Sequence, residues 1–292
     1  MTEPRSWLFV PADSERKLAR GSESGADALI LDLEDSVAAD RKAGARDTAL
    51  AYLKQQGGTR GQQLVVRVNA LDTGLTDADL DAVVAGRPDA ILLPKAEGGA
   101  AVTHLDAKLT AREAMHGLPE GSIKILALAT ETASSLFLCG TYQNASPRLT
   151  GITWGAEDLS AELGAETNRD ELGRFTSPYW LARNLSLAAA ASARVQAIDT
   201  VYADFRNMDG LRAEAIEARR DGFAAKMAIH PAQVAIINEV FTPAPEEIAK
   251  AQAVVAAFAE NPSAGVVAIG GVMYDRPHLT RAQRLLARIK PA

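Results

Sequence analysis

Residues 123–158 read IKILALATETASSLFLCGTYQNASPRLTGITWGAED and contain two short apolar runs. The runs cover residues 123–129 and 149–154, and both have the length and composition of buried β-strands. An acidic residue lies just past each run, Glu131 after the first and Asp158 after the second. Both carboxylates are therefore predicted at the point where a strand ends and a loop begins.

Similar apolar runs recur along the first 240 residues, separated by segments of helical periodicity that are rich in Ala, Glu, Arg and Leu. There are eight of them, at residues 7–10, 28–33, 64–68, 90–93, 123–129, 149–154, 198–202 and 224–229. Eight β–α units in about 240 residues match the usual size of a (β/α)8 barrel. A doubly wound open sheet is the alternative, but it usually has fewer strands, and no glycine-rich phosphate-binding motif follows the first run. We predict an α/β fold in which residues 1–240 form a (β/α)8 TIM barrel, the catalytic domain.

Residues 241–292 exceed what a final barrel helix requires and are predicted to form a C-terminal helical extension. Two prolines followed by acidic residues, at 243–247, mark a new helix start. Helices are predicted at 248–258 and 279–289, with the segment GVVAIGGVMYDRPH at 265–278 between them. We expect this extension to pack on the barrel mouth or on a neighbouring subunit.

The composition argues against several classes of partner. The net charge of −6 leaves no general basic surface, so we predict binding to neither nucleic acid nor membranes. Cys139 is the only cysteine, so no intrachain disulfide can form and a reducing compartment is favoured. No apolar run reaches membrane-spanning length, and the N-terminus lacks the apolar core of a signal peptide. These features predict a cytoplasmic protein.

The two acidic residues at neighbouring strand ends are suited to a metal ion. No histidine or cysteine lies near them in the pattern, so Glu131 and Asp158 favour a hard divalent cation such as Mg²⁺. That ion takes one or two carboxylates and leaves its other positions to water and substrate. Each acid can instead belong to the first turn of a helix, where the helix dipole stabilises it. The two interpretations are compatible, because an acid near a helix start can also bind a metal.

Arg67 lies inside an apolar run, where a charged group is costly unless it is paired. Its planar guanidinium suits a substrate carboxylate or a thioester oxygen. The alternative is a structural ion pair with Asp32 or Glu34, which the sequence LDLED provides. Strand alternation predicts that these two acids share one face, while Asp35 points to the other, toward solvent or a helix start.

Three more candidates follow from their positions. Lys95 comes after a strand and a proline, and a buried structural lysine is as good an interpretation as substrate binding. His230 is the only histidine at a predicted strand end, and it too is either structural or part of the substrate site. Asp275 lies beyond the barrel in the sequence MYDRPH, and on its own it is an ordinary turn aspartate.

Taken together, these motifs resemble the citrate lyase β-subunit-like branch of the HpcH/HpaI aldolase superfamily. The resemblance runs over nearly the whole chain, in RSWLFVPADSERK, GADALILDLEDSVAADRKAGAR, VRVN, DAILLPKAE, LATETA, WGAEDLSAELG, AIDTVYADFRN, GFAAKMAIHPAQVAIINEVFTP and GGVMYDRPH. It implies a (β/α)8 barrel with a C-terminal extension, usually trimeric or hexameric. It also implies an enzyme that makes or breaks a carbon–carbon bond next to a CoA or acyl-carrier thioester, with Mg²⁺ as cofactor.

The resemblance implies roles for individual residues. Glu131 and Asp158 would bind Mg²⁺, with Glu131 also close to the substrate, and Arg67 would hold the substrate oxygens beside the metal. Asp275 matches an aspartate thought to reach the active site from a neighbouring subunit as acid/base. The remaining assignments are catalytic support by Asp32 and Glu34 and substrate binding by Lys95 and His230.

The predicted function is a Mg²⁺-dependent carbon–carbon lyase that cleaves or forms a citryl-, citramalyl- or malyl-type 3-hydroxyacyl-CoA. Its partners would be a keto acid and an acyl-CoA. The alternatives are a malate or citramalate synthase, a hydroxyacyl-CoA thioesterase, an aldolase acting on free keto acids, and a non-catalytic sensor of metal or CoA ligands. Ala12 and Ala225 stand where the family usually has glycine, which leaves the acyl group open.

Overall fold

The computed structural model describes residues 3–56 and 61–288, and its central feature is a closed barrel of eight parallel strands. Each strand pairs with the next in chain order, and β8 pairs with β1. The strands are β1 (Ser6–Pro11), β2 (Ala28–Asp32), β3 (Gln63–Arg67), β4 (Ala90–Leu93), β5 (Lys124–Ala129), β6 (Leu149–Trp154), β7 (Gln196–Asp199) and β8 (Ala225–Ala228). The predicted (β/α)8 barrel is confirmed.

Helices connect the barrel strands, as parallel pairing requires crossover connections. Two helices lie between β6 and β7, one lies between each other consecutive pair, and one follows β8. They are α1 (Glu15–Ser22), α2 (Lys42–Gln56), α3 (Thr76–Val83), α4 (Gly98–Met115), α5 (Ala133–Leu138), α6 (Glu157–Glu162), α7 (Ser177–Ala193), α8 (Met208–Asp221) and α9 (Pro231–Phe241). In the described parts of the chain, no helix has both the length and the apolar character needed to cross a membrane.

The interior of the barrel is filled by side chains that alternate along each strand with side chains on the outer face. Its bulky apolar members are Trp7, Ile30, Val65, Leu92, Leu126, Leu128, Ile198 and Met227. Asp32 and Arg67 are partners in the register of β2 and β3, and each lies two positions beyond an interior residue of its strand. The alternation therefore turns both charged side chains inward at the carboxyl ends of these strands.

The seventh strand differs from the prediction. It covers Gln196–Asp199 rather than residues 198–202, and its pairing with β8 ends at Asp199. Thr200 and Val201 leave the sheet and line a cavity instead. The prediction is wrong here because residues that line a cavity can be as apolar as residues of a buried strand.

A buried ion cluster joins β7 and β8 to α8. The side chain of Lys226 is fully buried, and its Nζ lies 2.6 Å from Asp199 Oδ2 and 2.9 Å from Glu214 Oε1. The indole Nε1 of Trp154 donates to Asp199 Oδ1 at 2.9 Å. Arg169 also pairs with Glu214 at 2.8 Å, whereas the only other cation near Asp199 among the described residues is Arg183 at 3.6 Å, so Asp199 depends most on Lys226.

We expect Lys226→Met to lower the free energy of unfolding by about 3–5 kcal/mol, because the buried carboxylate of Asp199 would lose its cation at 2.6 Å and keep only Arg183 at 3.6 Å. Chemical denaturation followed by circular dichroism measures this loss. Lys54→Met, at an exposed position of α2, is the control and should change the free energy by less than about 0.5 kcal/mol. Equal effects of the two substitutions would show that the cluster contributes no special stability.

The chain divides into two compact units, Pro4–Glu239 with the barrel and a second that begins at Val240. The second unit contains α10 (Pro245–Glu260), β9 (Val266–Ile269), β10 (Val272–Asp275) and α11 (Arg276–Ala287). Its own apolar core includes Val254, Phe258 and Val267.

The second unit has helices at both predicted positions, and it also contains a β-hairpin that the sequence did not predict. The segment at 265–278 contains an antiparallel hairpin of β9 and β10. Gly270 and Gly271 form its two-residue turn with φ values of 57° and 80°, a conformation that only glycine adopts without strain at both positions. Two glycines between apolar runs are a hairpin signal, and the sequence interpretation did not use it.

Candidate active site

A cavity of about 320 Å³ opens at the carboxyl ends of the barrel strands, where (β/α)8 enzymes have their active sites. Residues at or just past the end of every barrel strand except β4 contribute to its lining. The charged members of the lining are Asp32, Asp35, Arg67, Glu131, Glu157 and Asp158. The fold thus brings the predicted metal ligands and the predicted substrate-binding arginine into one cavity.

Arg67 forms the ion pair that the sequence offered as the alternative to substrate binding. Its Nε and Nη2 donate to the two carboxylate oxygens of Asp32, each at 2.7 Å, and its Nη1 lies 2.9 Å from Glu34 Oε2. Burial opposes ionisation of Asp32, but the hydrogen bonds from Arg67 outweigh it and lower the pKa of Asp32. The guanidinium is held in place by these bonds and still lines the cavity, so the ion pair does not remove Arg67 from the site.

Asp35 also faces the cavity, contrary to the prediction from strand alternation. Strand β2 ends at Asp32, whose Oδ1 accepts a hydrogen bond from the N–H of Glu34 at 2.9 Å. The chain turns there, and Asp35 Oδ2 lies 3.7 Å from Lys95 Nζ. The two-residue period does not extend past the end of the strand, which is why the prediction is wrong at this residue.

Glu131 is held deep in the cavity, with 3% of its surface exposed. The backbone N–H of Lys95 donates to Glu131 Oε2 at 2.5 Å. Lys95 and Thr130 both have left-handed backbone conformations, with φ of 47° and 65°, which are costly for residues other than glycine. Burial raises the pKa of Glu131 well above its usual range, and the adjoining carboxyl of Asp158 raises it further.

The two predicted metal ligands differ in their relation to helices. Helix α5 begins at Ala133 with Thr132 as its N-cap, so Glu131 precedes the helix and the helix-start interpretation is wrong for it. Asp158 lies in the first turn of α6 and fits that interpretation. Because Asp158 also lines the cavity, its position suits both roles.

Lys95 lies among acidic side chains at the edge of the cavity. Its Nζ is 2.7 Å from Glu34 Oε1 and 3.6 Å from Asp158 Oδ1. Burial lowers the pKa of Lys95, but the hydrogen bond to Glu34 and the surrounding carboxylates outweigh this and raise it. The ammonium therefore stays charged and links the Arg67 cluster to the Glu131–Asp158 pair.

The donor set of the cavity fits a hard divalent cation. Adjacent carboxyl groups repel one another when both are ionised, and a cation between Glu131 and Asp158 removes that cost. No group of three or more His, Cys, Asp or Glu side chains among residues 3–56 and 61–288 is arranged to hold a metal by itself. Two carboxylates are nevertheless what Mg²⁺ commonly takes from a protein, because water and substrate complete its octahedral shell.

Two predicted site residues have other surroundings. His230 is exposed, and its ring stacks on that of Phe205 with 4.9 Å between the centroids. Asp275 belongs to the second unit, where it caps α11 and accepts a hydrogen bond from the N–H of His278 at 3.3 Å. The sequence placed Asp275 outside the barrel, but it did not distinguish the exposed position of His230 from the positions of the cavity residues.

Sequence reasoning missed two residues in and after β6. Thr153 lines the cavity, and its Oγ1 is buried with no hydrogen-bond partner in the described structure. Gly155 packs against Glu131, since a Cβ at this position would lie 2.8 Å from Glu131 Cγ and 3.1 Å from Leu128 Cδ2. The sequence signal for Thr153 was the strand alternation, which points it into the barrel. The signal for Gly155 was a glycine directly after a strand.

Comparison with known proteins gives a consistent set of relatives. The sequence profile of HpcH/HpaI aldolase/citrate lyase matches residues 5–231. The chain is 35% identical over 285 residues to the citrate lyase subunit beta of Leuconostoc mesenteroides subsp. cremoris, covering 97% of this chain and 92% of that protein. It is 37% identical to a (3S)-malyl-CoA thioesterase of Cereibacter sphaeroides, and the match covers 97% of this chain and 94% of that protein. It is 32% identical to the mitochondrial citramalyl-CoA lyase of Rattus norvegicus, and the match covers 97% of this chain and 85% of that protein.

Solved structures agree with these sequence matches. The CitE protein of Mycobacterium tuberculosis in complex with magnesium, acetoacetate and coenzyme A superposes with a TM-score of 0.75 at 33% identity, covering 97% of each chain. The citrate lyase beta subunit of the same organism, complexed with oxaloacetate and magnesium, gives a TM-score of 0.69 at 33% identity, covering 82% of this chain and 97% of that one.

Proposed function

The chain belongs to the HpcH/HpaI aldolase/citrate lyase family, and we propose that its cavity is the active site of a Mg²⁺-dependent carbon–carbon lyase. The substrate is a 3-hydroxyacyl-CoA of the citryl, citramalyl or malyl type, which is split into a 2-keto acid and an acyl-CoA, or formed from them. The observation that supports this most directly is the Glu131–Asp158 pair beside the fixed guanidinium of Arg67 in one cavity.

Glu131 and Asp158 are the residues that would hold Mg²⁺. When bound, the ion supplies Lewis-acid stabilisation of the negative charge that develops on the substrate oxygens. The backbone N–H of Lys95 fixes one oxygen of Glu131, so the metal-binding carboxylate is oriented before the ion arrives.

Arg67 would orient the carboxylate or carbonyl oxygens of the substrate. Asp32 and Glu34 engage Nε, Nη2 and Nη1 of its guanidinium, and the N–H groups that remain are available to a ligand in the cavity that Arg67 lines. Preorganised donors of this kind stabilise developing charge without having to move during the reaction. Asp32 and Glu34 therefore act through Arg67, by positioning it.

The β9–β10 hairpin supports a role for Asp275 in a neighbouring subunit. Val267 and Tyr274 are opposite each other in the hairpin and pack in the core of the second unit. Val266 and Met273 alternate with them, and they are 48% and 72% exposed. Asp275 is opposite Val266 and shares this apolar face. An exposed apolar face suits contact with another protein, in keeping with a homo-oligomer such as a trimer or hexamer.

In the proposed cleavage, Asp275 accepts the proton of the 3-hydroxyl group. The C–O bond becomes the carbonyl of the keto acid as the bond between C2 and C3 breaks. Its electron pair passes to C2 and the thioester carbonyl as an enolate, and transfer of the proton from Asp275 to C2 gives the acyl-CoA and restores the carboxylate. A hydrogen bond with His278 lowers the pKa of Asp275, so the carboxylate is ionised in the subunit that carries it but is a weaker base than an ordinary aspartate.

The proposal is tested with a panel of malyl-, citramalyl- and citryl-CoA, assayed with MgCl₂ or with EDTA and analysed by mass spectrometry. A keto acid together with an acyl-CoA, formed only with Mg²⁺, is the expected result. Free CoA with an intact hydroxy acid would instead establish a thioesterase, the second candidate, which the 37% identity to a (3S)-malyl-CoA thioesterase favours. Binding of metal and thioester with no turnover would favour the sensor alternative.

Gly155→Ala is expected to weaken Mg²⁺ binding by about 10- to 100-fold, because the added methyl group displaces the side chain of Glu131. Isothermal titration with MgCl₂ measures this change. Gly140→Ala is the matched control, since a Cβ at Gly140 meets nothing within 4 Å. If both variants bind Mg²⁺ with the same affinity as the unmodified protein, Mg²⁺ binding does not depend on the position of the Glu131 side chain.

A further inference from the structure

One hydroxyl group in the lining of the cavity has no partner in the protein. Thr153 is 1% exposed, and its Oγ1 makes no hydrogen bond in the described structure. Several other buried side-chain atoms of residues 3–56 and 61–288 also lack a partner, but of these residues only Thr153 belongs to the lining. A buried hydroxyl without a partner lowers the stability of the fold, so its position calls for an explanation.

The geometry of β6 fixes the direction of this side chain. Two positions earlier, Gly151 faces the interior of the barrel, since a Cβ there would lie 2.6 Å from Leu126 Cδ2 and 3.1 Å from Ile198 Cδ1. Alternation gives Thr153 the same direction, one layer nearer the carboxyl ends of the strands. Thr153 therefore lies at the inner end of the cavity, on a rigid strand.

The neighbours of Thr153 in the lining are mainly apolar. Leu128 is its partner in the register of β5 and β6 and also lines the cavity. Val201 and Met227 line the cavity from the segments at the ends of β7 and β8. Hydrocarbon side chains neither donate nor accept hydrogen bonds, so the hydroxyl depends on a polar atom of a bound molecule for its partner.

The charged groups of the cavity are suited to other atoms of the substrate. Under the proposed function, the metal pair of Glu131 and Asp158 and the guanidinium of Arg67 serve the carboxylate and the 3-hydroxyl oxygen. The carbonyl oxygen of the thioester is then left without a protein partner, although negative charge develops on it as the enolate forms. A neutral donor among apolar side chains is effective at such an oxygen, because the local dielectric constant is low.

We propose that Thr153 is a further substrate-binding residue, whose hydroxyl group donates a hydrogen bond to the carbonyl oxygen of the acyl-CoA thioester. The bond persists as this oxygen becomes the enolate oxygen, and the hydroxyl keeps its proton throughout. The inference rests on the proposed function and deepens it, because it assigns a donor to the acyl-CoA half of the substrate. The bound thioester supplies the partner that the protein itself does not.

Two substitutions separate a ligand-binding hydroxyl from a structural one. Thr153→Val keeps the shape and removes the hydroxyl, so the melting temperature in EDTA should rise by about 1–3 °C. In the same variant, kcat/KM for the best thioester of the panel should fall by about 10- to 100-fold. Thr153→Ser keeps the hydroxyl and should keep kcat/KM within about fivefold, although loss of the buried methyl group lowers its melting temperature. A lower melting temperature or an unchanged kcat/KM in the valine variant would overturn the inference.

Tyr179→Phe is the matched control. The hydroxyl of Tyr179 is also buried without a partner in the described part of the chain, but Tyr179 lies on α7 and outside the lining. Its removal should raise the melting temperature to a similar extent and leave kcat/KM unchanged. A loss of kcat/KM as large as that of Thr153→Val would show that the effect does not come from contact with the substrate.

Binding measurements identify the partner atom without any turnover. Acetyl-CoA has the thioester carbonyl, whereas S-ethyl-CoA is a thioether and lacks it. In isothermal titration of the Mg²⁺-loaded protein, Thr153→Val should weaken acetyl-CoA binding by about 5- to 10-fold and leave S-ethyl-CoA binding unchanged. Equal affinity of the unmodified protein for the two ligands, or equal weakening of both in the variant, would contradict the assignment. If the expected difference is found but no thioester is cleaved, the lyase proposal fails and the role of Thr153 in binding stands.

Discussion

Glu131→Gln is expected to reduce Mg²⁺-dependent turnover by about 1,000-fold or more, because the metal contributes several kcal/mol to transition-state stabilisation. The fold should survive the change. Glutamine has nearly the same shape as glutamate, and its amide oxygen can still accept the hydrogen bond from the N–H of Lys95. Without metal, the variant should be at least as stable as the unmodified protein, because it no longer buries a carboxyl group beside Asp158.

Thermal unfolding with and without MgCl₂ provides the readout that separates metal binding from folding. The unmodified protein should gain about 2.7 kcal/mol of stability at a Mg²⁺ concentration 100 times its Kd, and the variant should gain little. Glu162→Gln, at an exposed position of α6, is the control and should respond to Mg²⁺ like the unmodified protein. A Mg²⁺-induced stabilisation that persists in Glu131→Gln would remove Glu131 from the metal site.

Asp275→Asn is expected to lower kcat by about 100- to 10,000-fold, the usual contribution of a general acid or base, and to change KM only a few-fold. Asparagine can still accept the hydrogen bond from the N–H of His278, so the cap of α11 should be kept. Steady-state kinetics on the best thioester of the panel gives both constants. An unchanged kcat would remove Asp275 from the mechanism.

Mixed oligomers test whether Asp275 acts in a neighbouring subunit. When Glu131→Gln and Asp275→Asn chains are co-expressed, some sites combine an intact metal pair from one chain with an intact Asp275 from another. Such mixtures should recover a substantial fraction of the activity that both pure variants lack. If the mixture stays as inactive as its components, Asp275 acts within its own chain or not at all.

Much of the barrel could be predicted from sequence because local pattern and burial agree. Parallel strands are buried on both faces, so they are continuous apolar runs, and those of β4 and β6 match the observed strands at both ends. The apolar pattern predicted the strand boundaries less well where apolar residues line the cavity and do not belong to a strand. Residues 200–202 continue an apolar run, yet the strand ends at Asp199 and the next residues line the cavity.

Predictions of the direction in which a side chain points were correct within the strands, where the alternation of the backbone fixes that direction. They were wrong past the ends of the strands. Asp32 and Arg67 are in register on the inward face, so their pairing was a consequence of alternation. Asp35 lies past the end of β2, where a turn rather than the strand sets its direction. A glycine directly after β6 signals a close approach at Gly155, but the sequence does not say that Glu131 is the residue approached, because that contact comes from two adjacent strand ends.

The sequence by itself determined the barrel, the identity of the charged residues at its strand ends, and the family resemblance. These depend on periodicity, composition and collinear motifs, which need no knowledge of distances. Only the tertiary structure decided that Arg67 is already held by Asp32 and Glu34 and that Lys95 lies among three acids. The physical reason is that charge balance in a cavity depends on separations of a few ångströms between residues far apart in the chain, and these separations arise when the barrel closes.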